Sequence, residues 1–454
     1  RFAPQVEGAG LLVGGTPWSK TLQQAPLLIA TYEALIPRFA YFRTNLTWIA
    51  SIGMIIIDEI HLLESPHRGA ALEQLISWVK RVPPVIKRIA LSGTLGKAPS
   101  LRSFLGTGYV RTETRPVPLT IRTVRYENAT KESTLFEIID PERITLIFVH
   151  SRHRAETLTS QLNERGIPSR YHHAGLSHSE RQKVEHALSK RELRCVVATP
   201  TLEMGLNLPV SVVILYDLYF LERGVWRLLS KRSLFQRLGR AGRPGLDERG
   251  EGVVLIPTRE KQAAALLNGP FSPVESTITD ERMIHRFLFK EMAFCYANSQ
   301  TQLERAFTTT LAGARGIRPD FGRLLSSLVL SGHLTLREGK PVLSAEVQRA
   351  VRSFLDPYAL ASVLKQCSPA MPPFDLLVTL SCTPEVEAPR SQKRRSPSSK
   401  RTCPPATQER QGGSSRWSLS SLGSVFSPPS SLPPSSPRPC GSTSRPSQPW
   451  SSTA

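Results

Sequence analysis

The sequence predicts an α/β protein: two tandem parallel-sheet lobes, the first incomplete, followed by a helical domain and a disordered tail. Three observations carry this. Short runs of aliphatic and β-branched residues alternate with amphipathic helical stretches over roughly the first 262 residues, the pattern of βαβ units. From about Ala263 to Leu355 the pattern becomes helical, with one short hairpin-like piece. After Pro389, serine and proline make up nearly half of the residues, so the segment cannot bury enough apolar surface to offset chain entropy.

Taken in order, residues 1–115 form the first lobe. Leu27–Ala30, Met54–Ile57 and Ile89–Leu91 read as strands, with Leu72–Val79 as a helix between the last two. Arg115-Pro116-Val117-Pro118 reads as a linker. The second lobe, 116–262, has strands at Thr145–Val149, Cys195–Ala198, Val212–Leu215 and Val253–Ile256 and a helix at Ala155–Arg165. In residues 263–356 helices precede a strand, Gly332–Leu336, that turns at Glu338-Gly339-Lys340, which fits a winged-helix module. Residues 357–388 open a further helical segment and 389–454 are the tail.

The net charge of +21 points to a polyanionic partner, most simply nucleic acid. Part of it belongs to the tail, where ten lysines and arginines face the single acid Glu409, leaving +12 on the rest of the chain. The six cysteines are scattered without paired spacing, which argues against zinc, iron–sulfur or disulfide frameworks and fits a reducing, cytoplasmic setting. No apolar stretch approaches the ~20 residues that span a bilayer as a helix, and no signal peptide is visible, so no membrane partner is expected.

The chemistry is concentrated at strand ends. The run Ile55-Ile56-Ile57 reads as a strand buried on both faces and ends abruptly in Asp58-Glu59-Ile60-His61. Two carboxylates at the C-terminal lip of a parallel strand stand where open α/β sheets bind ligands. One can hold magnesium through its waters while the next orients a hydrolytic water. A strand end whose charges merely meet solvent would carry the same letters. Ser92-Gly93-Thr94 follows the next strand, and Thr31-Tyr32-Glu33 follows an earlier one. In the second lobe, Thr199 to Pro209 leaves a strand as a loop rich in hydroxyls and glycine. Gln236-Arg237-Leu238-Gly239-Arg240-Ala241-Gly242-Arg243 then sets two arginines three apart among small residues. That spacing suits guanidinium groups brought against phosphate charge.

In order, these segments resemble the helicases of superfamily two. TYE is similar to motif Ib, DEIH to motif II, SGT to motif III, LIFVHSRHRAE to motif IV, ATPTLEMGLNLP to motif V and QRLGRAGRPG to motif VI. DEIHLLES, RGAALE, YHHAGL and GRAGRPGLDERGEG resemble the Ski-like branch, most of all the archaeal DNA helicases that act at stalled forks. MIHRFLFKEMAFCYANSQTQLERAF is similar to their winged-helix domain, and LLVTLSCTPEVEA to the entry of their helical ratchet. The resemblance implies two RecA-like lobes and an ATP- and magnesium-dependent, monomeric motor that moves 3′ to 5′ on single-stranded or forked DNA in replication-coupled repair. RNA is the alternative strand within the same branch.

By the same resemblance Asp58 holds magnesium through water and Glu59 orients the attacking water. Gly205 and Gln236 approach the nucleotide, and Arg240 and Arg243 complete the γ-phosphate site. His61, Ser92 and Thr94 couple nucleotide state to lobe movement, and Thr31, Ser151, Arg152 and Thr201 lie along the strand path. Gly93 departs from the alanine usual in motif III. The Walker A loop has no match: Gly14 to Thr21 lacks the glycine before Lys20, and Pro17 and Trp18 disturb a loop that must wrap phosphates. That loop is expected upstream of Arg1, so the chain as written could also be a nucleic-acid-binding fragment without catalysis. His172-His173 lacks partner ligands at metal spacing and reads as structural. The tail's basic cluster (Lys393, Arg394, Arg395, Lys400, Arg401) would bind nucleic acid without specificity, and a shifted reading frame after about Glu387 would also produce such a tail.

Overall fold

The computed structural model describes residues 7–360, apart from 67, 83–84, 97, 113, 201–209, 223, 243–244 and 246, together with 371–372 and 375. The expected tail and nearly all of the expected ratchet entry lie outside the described residues. The chain divides into two units, Arg1–Gln348 and Arg349–Ala454, and both lobes belong to the first.

The first lobe comprises β1 (Gly10–Leu12), α1 (Lys20–Gln24), β2 (Leu28–Ala30), α2 (Tyr32–Ala40), α3 (Leu46–Ala50), β3 (Met54–Ile57), α4 (Gly69–Arg81), β4 (Lys87–Ala90) and α5 (Pro99–Leu105). Its strands form two parallel pairs, β1 with β2 and β3 with β4, the latter in register Ile57 to Ala90. Helix α4 starts at a residue that must be glycine: a Cβ on Gly69 would lie 2.0 Å from the Leu63 carbonyl oxygen. From there Leu72, Leu75, Ile76 and Val79 recur at helical spacing and are buried. Leu72 and Ile76 pack with Leu101 and Phe104 of α5 and with Ile60 and Leu63.

Here the structure corrects one expectation. Strand β3 is covered on one face only, where Ile55 and Ile57 are half-buried, while Met54 and Ile56 are 48% and 59% exposed. The physical reason is the short sheet. Among the described residues β3 has a single strand neighbour, and the core beneath it gathers on the face of Ile57 and Ala90.

The second lobe is built from β5 (Leu119–Tyr126), α6 (Lys131–Ile138), β6 (Thr145–Phe148), α7 (Arg152–Glu164), β7 (Ser169–His172), α8 (His178–Ser189), β8 (Cys195–Ala198), β9 (Val212–Leu215), β10 (Tyr219–Glu222), β11 (Val225–Leu228), α9 (Lys231–Leu238) and β12 (Gly250–Pro257). Six strands form one parallel sheet in the order β5-β12-β9-β6-β8-β7, a RecA-like arrangement. β6, β8 and β9 are buried along their whole length. One face packs Leu146, Phe148, Val196, Val213 and Val254 beneath α8 and α9, the other Ile147, Val197, Ile214 and Val253 beneath α7. Each such side chain contributes ~1.5–3 kcal/mol relative to exposure. The α8 cap is a reciprocal box: the Ser177 hydroxyl accepts from Glu180 N at 3.2 Å and the Glu180 carboxylate accepts from Ser177 N at 2.8 Å.

Beyond lie α10 (Gln262–Asn268), α11 (Glu281–Ala293), α12 (Gln300–Thr308), α13 (Leu311–Ala314), α14 (Phe321–Leu330), β13 (Leu334–Arg337), β14 (Lys340–Leu343) and α15 (Ala345–Arg352). β13 and β14 pair antiparallel around Glu338 and Gly339, whose φ of 52° and 73° are those of a primed two-residue turn. Helix α4 docks on α11 through a buried carboxylate. Glu291 accepts from Trp78 Nε1 at 2.9 Å, from Arg81 Nη2 at 2.7 and 2.8 Å, and from Gln74. No helix among the described residues is long and apolar enough to cross a membrane.

Candidate active site

The turn after β3 is locally strained. Glu59 adopts φ 51° and ψ 48°, a left-handed conformation that costs a residue with a Cβ about 1 kcal/mol. Asp58 stabilises the turn, since its Oδ1 accepts from Glu59 N at 2.9 Å. Both carboxylates are thereby held at the C-terminal lip of the β3–β4 pair. Asp58 is exposed and keeps its second oxygen for a water-mediated cation, so the side chain fits the magnesium role.

His61 is buried and joins three segments. Its Nδ1 donates to Glu59 Oε2 and to Ser92 Oγ, each at 3.2 Å, and its Nε2 accepts from Gln236 Nε2 of α9. This tautomer satisfies all three partners together. The Ser92 hydroxyl also accepts from Thr94 N at 3.3 Å. The hydrogen bond from His61 holds the Glu59 carboxyl below its ordinary range against the opposing effect of burial. The positive charge of Arg240 pulls the same way. Glu59 is therefore kept ionised, and an arginine of the second lobe acts on it electrostatically.

A second cross-lobe contact was not expected from the sequence. Arg232, buried in the first turn of α9, reaches Glu64 through Nε at 2.9 Å and Nη2 at 3.1 Å. Its Nη1 donates to the Thr94 carbonyl at 2.6 Å and its Nη2 to the Ser272 carbonyl at 3.0 Å. Burial pushes the Glu64 carboxyl up, and Arg232 opposes that shift. Arg232 precedes Gln236 by four residues, hence shares its helix face, and that spacing was the available signal.

The linker is also tied to the second lobe. Arg115 Nη2 donates to the carbonyls of Gly239 and Ala241, at 2.8 and 2.6 Å, on either side of Arg240. Gly242 has φ +92°, and a Cβ there would meet Val117 Cγ1 at 2.8 Å, so the turn needs glycine.

Thr31 precedes α2 and is exposed, while Ser151 caps α7 by accepting from Arg154 N at 3.2 Å. Arg152 lies over Gly175, where an added Cβ would come 3.1 Å from the guanidinium Nη1. A Cβ at Gly93 meets nothing within 4 Å, so the backbone does not demand glycine there. Thr201, Gly205 and Arg243 lie outside the described residues. The histidines of YHHAG are each paired with one carboxylate, His172 with Glu185 at 3.0 Å and His173 with Glu156 at 3.1 Å. Among the described residues no three His, Cys, Asp or Glu side chains gather as a metal-ligand group. The segment from Gly14 is packed by aromatic contact: Trp18 meets Trp48 edge-on at 4.9 Å with Arg38 over its ring. The hairpin β10–β11, also unforeseen, stands outside the six-stranded sheet and exposes Leu221, Val225 and Trp226.

The DEAD/DEAH box helicase family matches residues 8–101 and the helicase conserved C-terminal domain matches 130–245. The ATP-dependent DNA helicase Hel308 of Thermoplasma volcanium is 30% identical over 298 residues, covering 57% of this chain and 44% of that protein. Hel308 of Pyrobaculum calidifontis is 28% identical over 446 residues, covering 83% and 62%. The chain thus spans less than two thirds of these curated relatives. Among solved structures, the Mycobacterium smegmatis helicase Lhr bound to ssDNA and AMP-PNP shares the fold at a TM-score of 0.56 and 22% identity, covering 76% of this chain and 48% of that one.

Proposed function

We infer, from a chain that carries both helicase domains and the superfamily-two fold, that this protein is the motor of an ATP-dependent DNA helicase. The observation that carries the reading is the cross-lobe contact at His61, with ionised Glu59 on one side, Gln236 on the other, and the charge of Arg240 acting on Glu59. In this reading ATP binds between the lobes. Asp58 holds magnesium through water, Glu59 orients the attacking water, and Arg240 with Arg243 stabilises charge on the transferred phosphoryl group. Magnesium, when bound, neutralises phosphate charge. Gly205 lies near the nucleotide, as does Gln236, whose amide also reports to His61. His61, Ser92 and Thr94 pass the nucleotide state to lobe movement, while Thr31, Ser151, Arg152 and Thr201 line the strand path.

DNA as the substrate is supported by relatives whose names are those of DNA helicases. The 3′ to 5′ polarity, the preference for forked DNA in replication-coupled repair, and a monomeric motor follow from the resemblance to the Ski-like branch. The exposed Trp226 of the hairpin supports a nucleic-acid contact, because unpaired bases stack on aromatic rings, and Leu221 and Val225 extend the apolar surface around it.

The test is ATP hydrolysis by the full-length protein with and without single-stranded DNA. Glu59→Gln should lower kcat by roughly a hundredfold or more while strand binding persists. Arg240→Ala should do so by about a thousandfold. Undiminished hydrolysis in the Glu59 variant would overturn the site, and stimulation by RNA exceeding that by DNA would move the substrate to RNA.

A further inference from the structure

We propose that Arg232 is a positioning residue that couples the nucleotide site to the helical domain, by joining the Ser92–Thr94 turn to the segment that leads out of the second lobe. The proposal rests on the motor reading above and adds a residue to which that reading gives no part.

The guanidinium is buried, and each of its three nitrogens has an acceptor. Such saturation in a low-dielectric position fixes the side chain in one geometry. Its acceptors belong to three different segments. Thr94 follows β4, the strand beside the Asp58–Glu59 turn. Glu64 ends the helical turn that begins at Ile60, immediately after the two carboxylates. Ser272 lies between α10 and α11, on the path from the second lobe to the helical domain.

That path is clasped at neighbouring points. Lys231 donates from Nζ to the Leu267 carbonyl at 2.8 Å and to that of Gly269. Glu64, besides receiving Arg232, accepts from Glu275 N at 3.3 Å. One residue on, Ser276 donates to the buried Glu73 of α4 at 2.7 Å. The first turn of α9 thus grips the connecting segment from one side and the first lobe grips it from the other, with Arg232 bonded to both. A shift of the Thr94 carbonyl relative to α9 bears on the Ser272 contact, because one rigid planar group serves both. Arg232 itself stands outside the set of residues read as contacting ATP.

The experiment uses the full-length protein and two variants, Arg232→Gln and Arg232→Lys, measuring DNA-stimulated ATP hydrolysis, the KM for ATP, and forked duplex unwound per ATP consumed. Loss of coupling should lower unwinding per ATP by about tenfold in Arg232→Gln, with kcat and KM for ATP within a few-fold of the unaltered protein. Arg232→Lys, which keeps a charge for Glu64 but cannot span three acceptors, should fall between. An unchanged ratio of unwinding to hydrolysis in both variants overturns the proposal, as does a parallel fall of both activities that leaves the ratio constant. Absence of DNA-stimulated hydrolysis in the unaltered protein would instead overturn the motor reading and, with it, the coupling role.

Discussion

Strands β3 and β9 carry almost the same letters and meet opposite fates. Val212–Leu215 in the second lobe is buried at every position, whereas Met54–Ile57 in the first alternates between exposed and half-buried. β9 lies between β12 and β6 and under helices on both faces; among the described residues β3 has one strand neighbour and one covered face. An aliphatic run thus specifies a strand, while the number of its neighbours decides how much stabilisation the run returns. In the first lobe the tightest packing moves to α4, which buries apolar and polar faces alike.

The contrast breaks most readily by charge. Ile214→Asp should destabilise this chain by more than about 4 kcal/mol, because an unpaired carboxylate would enter a closed core. Ile56→Asp should cost about 1 kcal/mol or less. Denaturant midpoints would show the difference, and equal losses would mean that the outer face of β3 is covered in solution. Next in size is the helix. Glu291→Ala strands Arg81, Gln74 and Trp78 at the α4–α11 contact and should cost ~3–5 kcal/mol. Faster amide exchange along α4, with β6 and β9 protected, would show that the first lobe leans on this helix rather than on its sheet.

Smaller than the loss at Ile214 or Glu291 is acid sensitivity in the second lobe. Burial would raise the Asp217 carboxyl, but the hydrogen bonds from His150 and the ammonium of Lys131 outweigh it and hold the group at about 2, below the ordinary 3.8. A depressed folded-state value stabilises above the unfolded value and loses that contribution as pH falls toward the folded one. Asp217 should therefore contribute ~2 kcal/mol above about pH 5, lost between there and pH 2. Asp217→Asn should remove that part of the acid dependence in a stability–pH profile and leave the rest, and an unaltered profile would exclude this ion cluster as its source.

Strand letters were the most legible part of the chain. Residues 212–215, 195–198 and 54–57 form strands as their composition foretells, and Glu338-Gly339 turns the hairpin for which only those backbone angles serve. Burial of β3 was not legible, because it depends on partners that a run of isoleucines does not name. Motif order pointed to His61, Ser92, Gln236 and Arg240, and these do converge. Arg232 is not legible in the sequence, since its partners stand 138 and 168 residues upstream and an arginine on a basic helix looks like any solvated charge. Edge strand Leu119–Tyr126 is hidden for a related reason: Arg122 and Arg125 interrupt its short apolar run and mask the alternation.

The tie between Arg115 and the carbonyls around Arg240 bears on mechanics. A tether anchored at its far end transmits rotation instead of absorbing it. The linker therefore cannot swivel at Arg115-Pro116-Val117-Pro118, where Val117 is buried and the Pro118 carbonyl accepts from Gly250 N at 2.8 Å. A pivot between the lobes would then fall on the stretch that starts at Gly106, whose φ of 64° already departs from helix, and continues through exposed Tyr109 and Val110. Torque arising there would reach the Arg240 turn through the Arg115 guanidinium and the Val117 side chain beside Gly242, much as a short lever moves a latch.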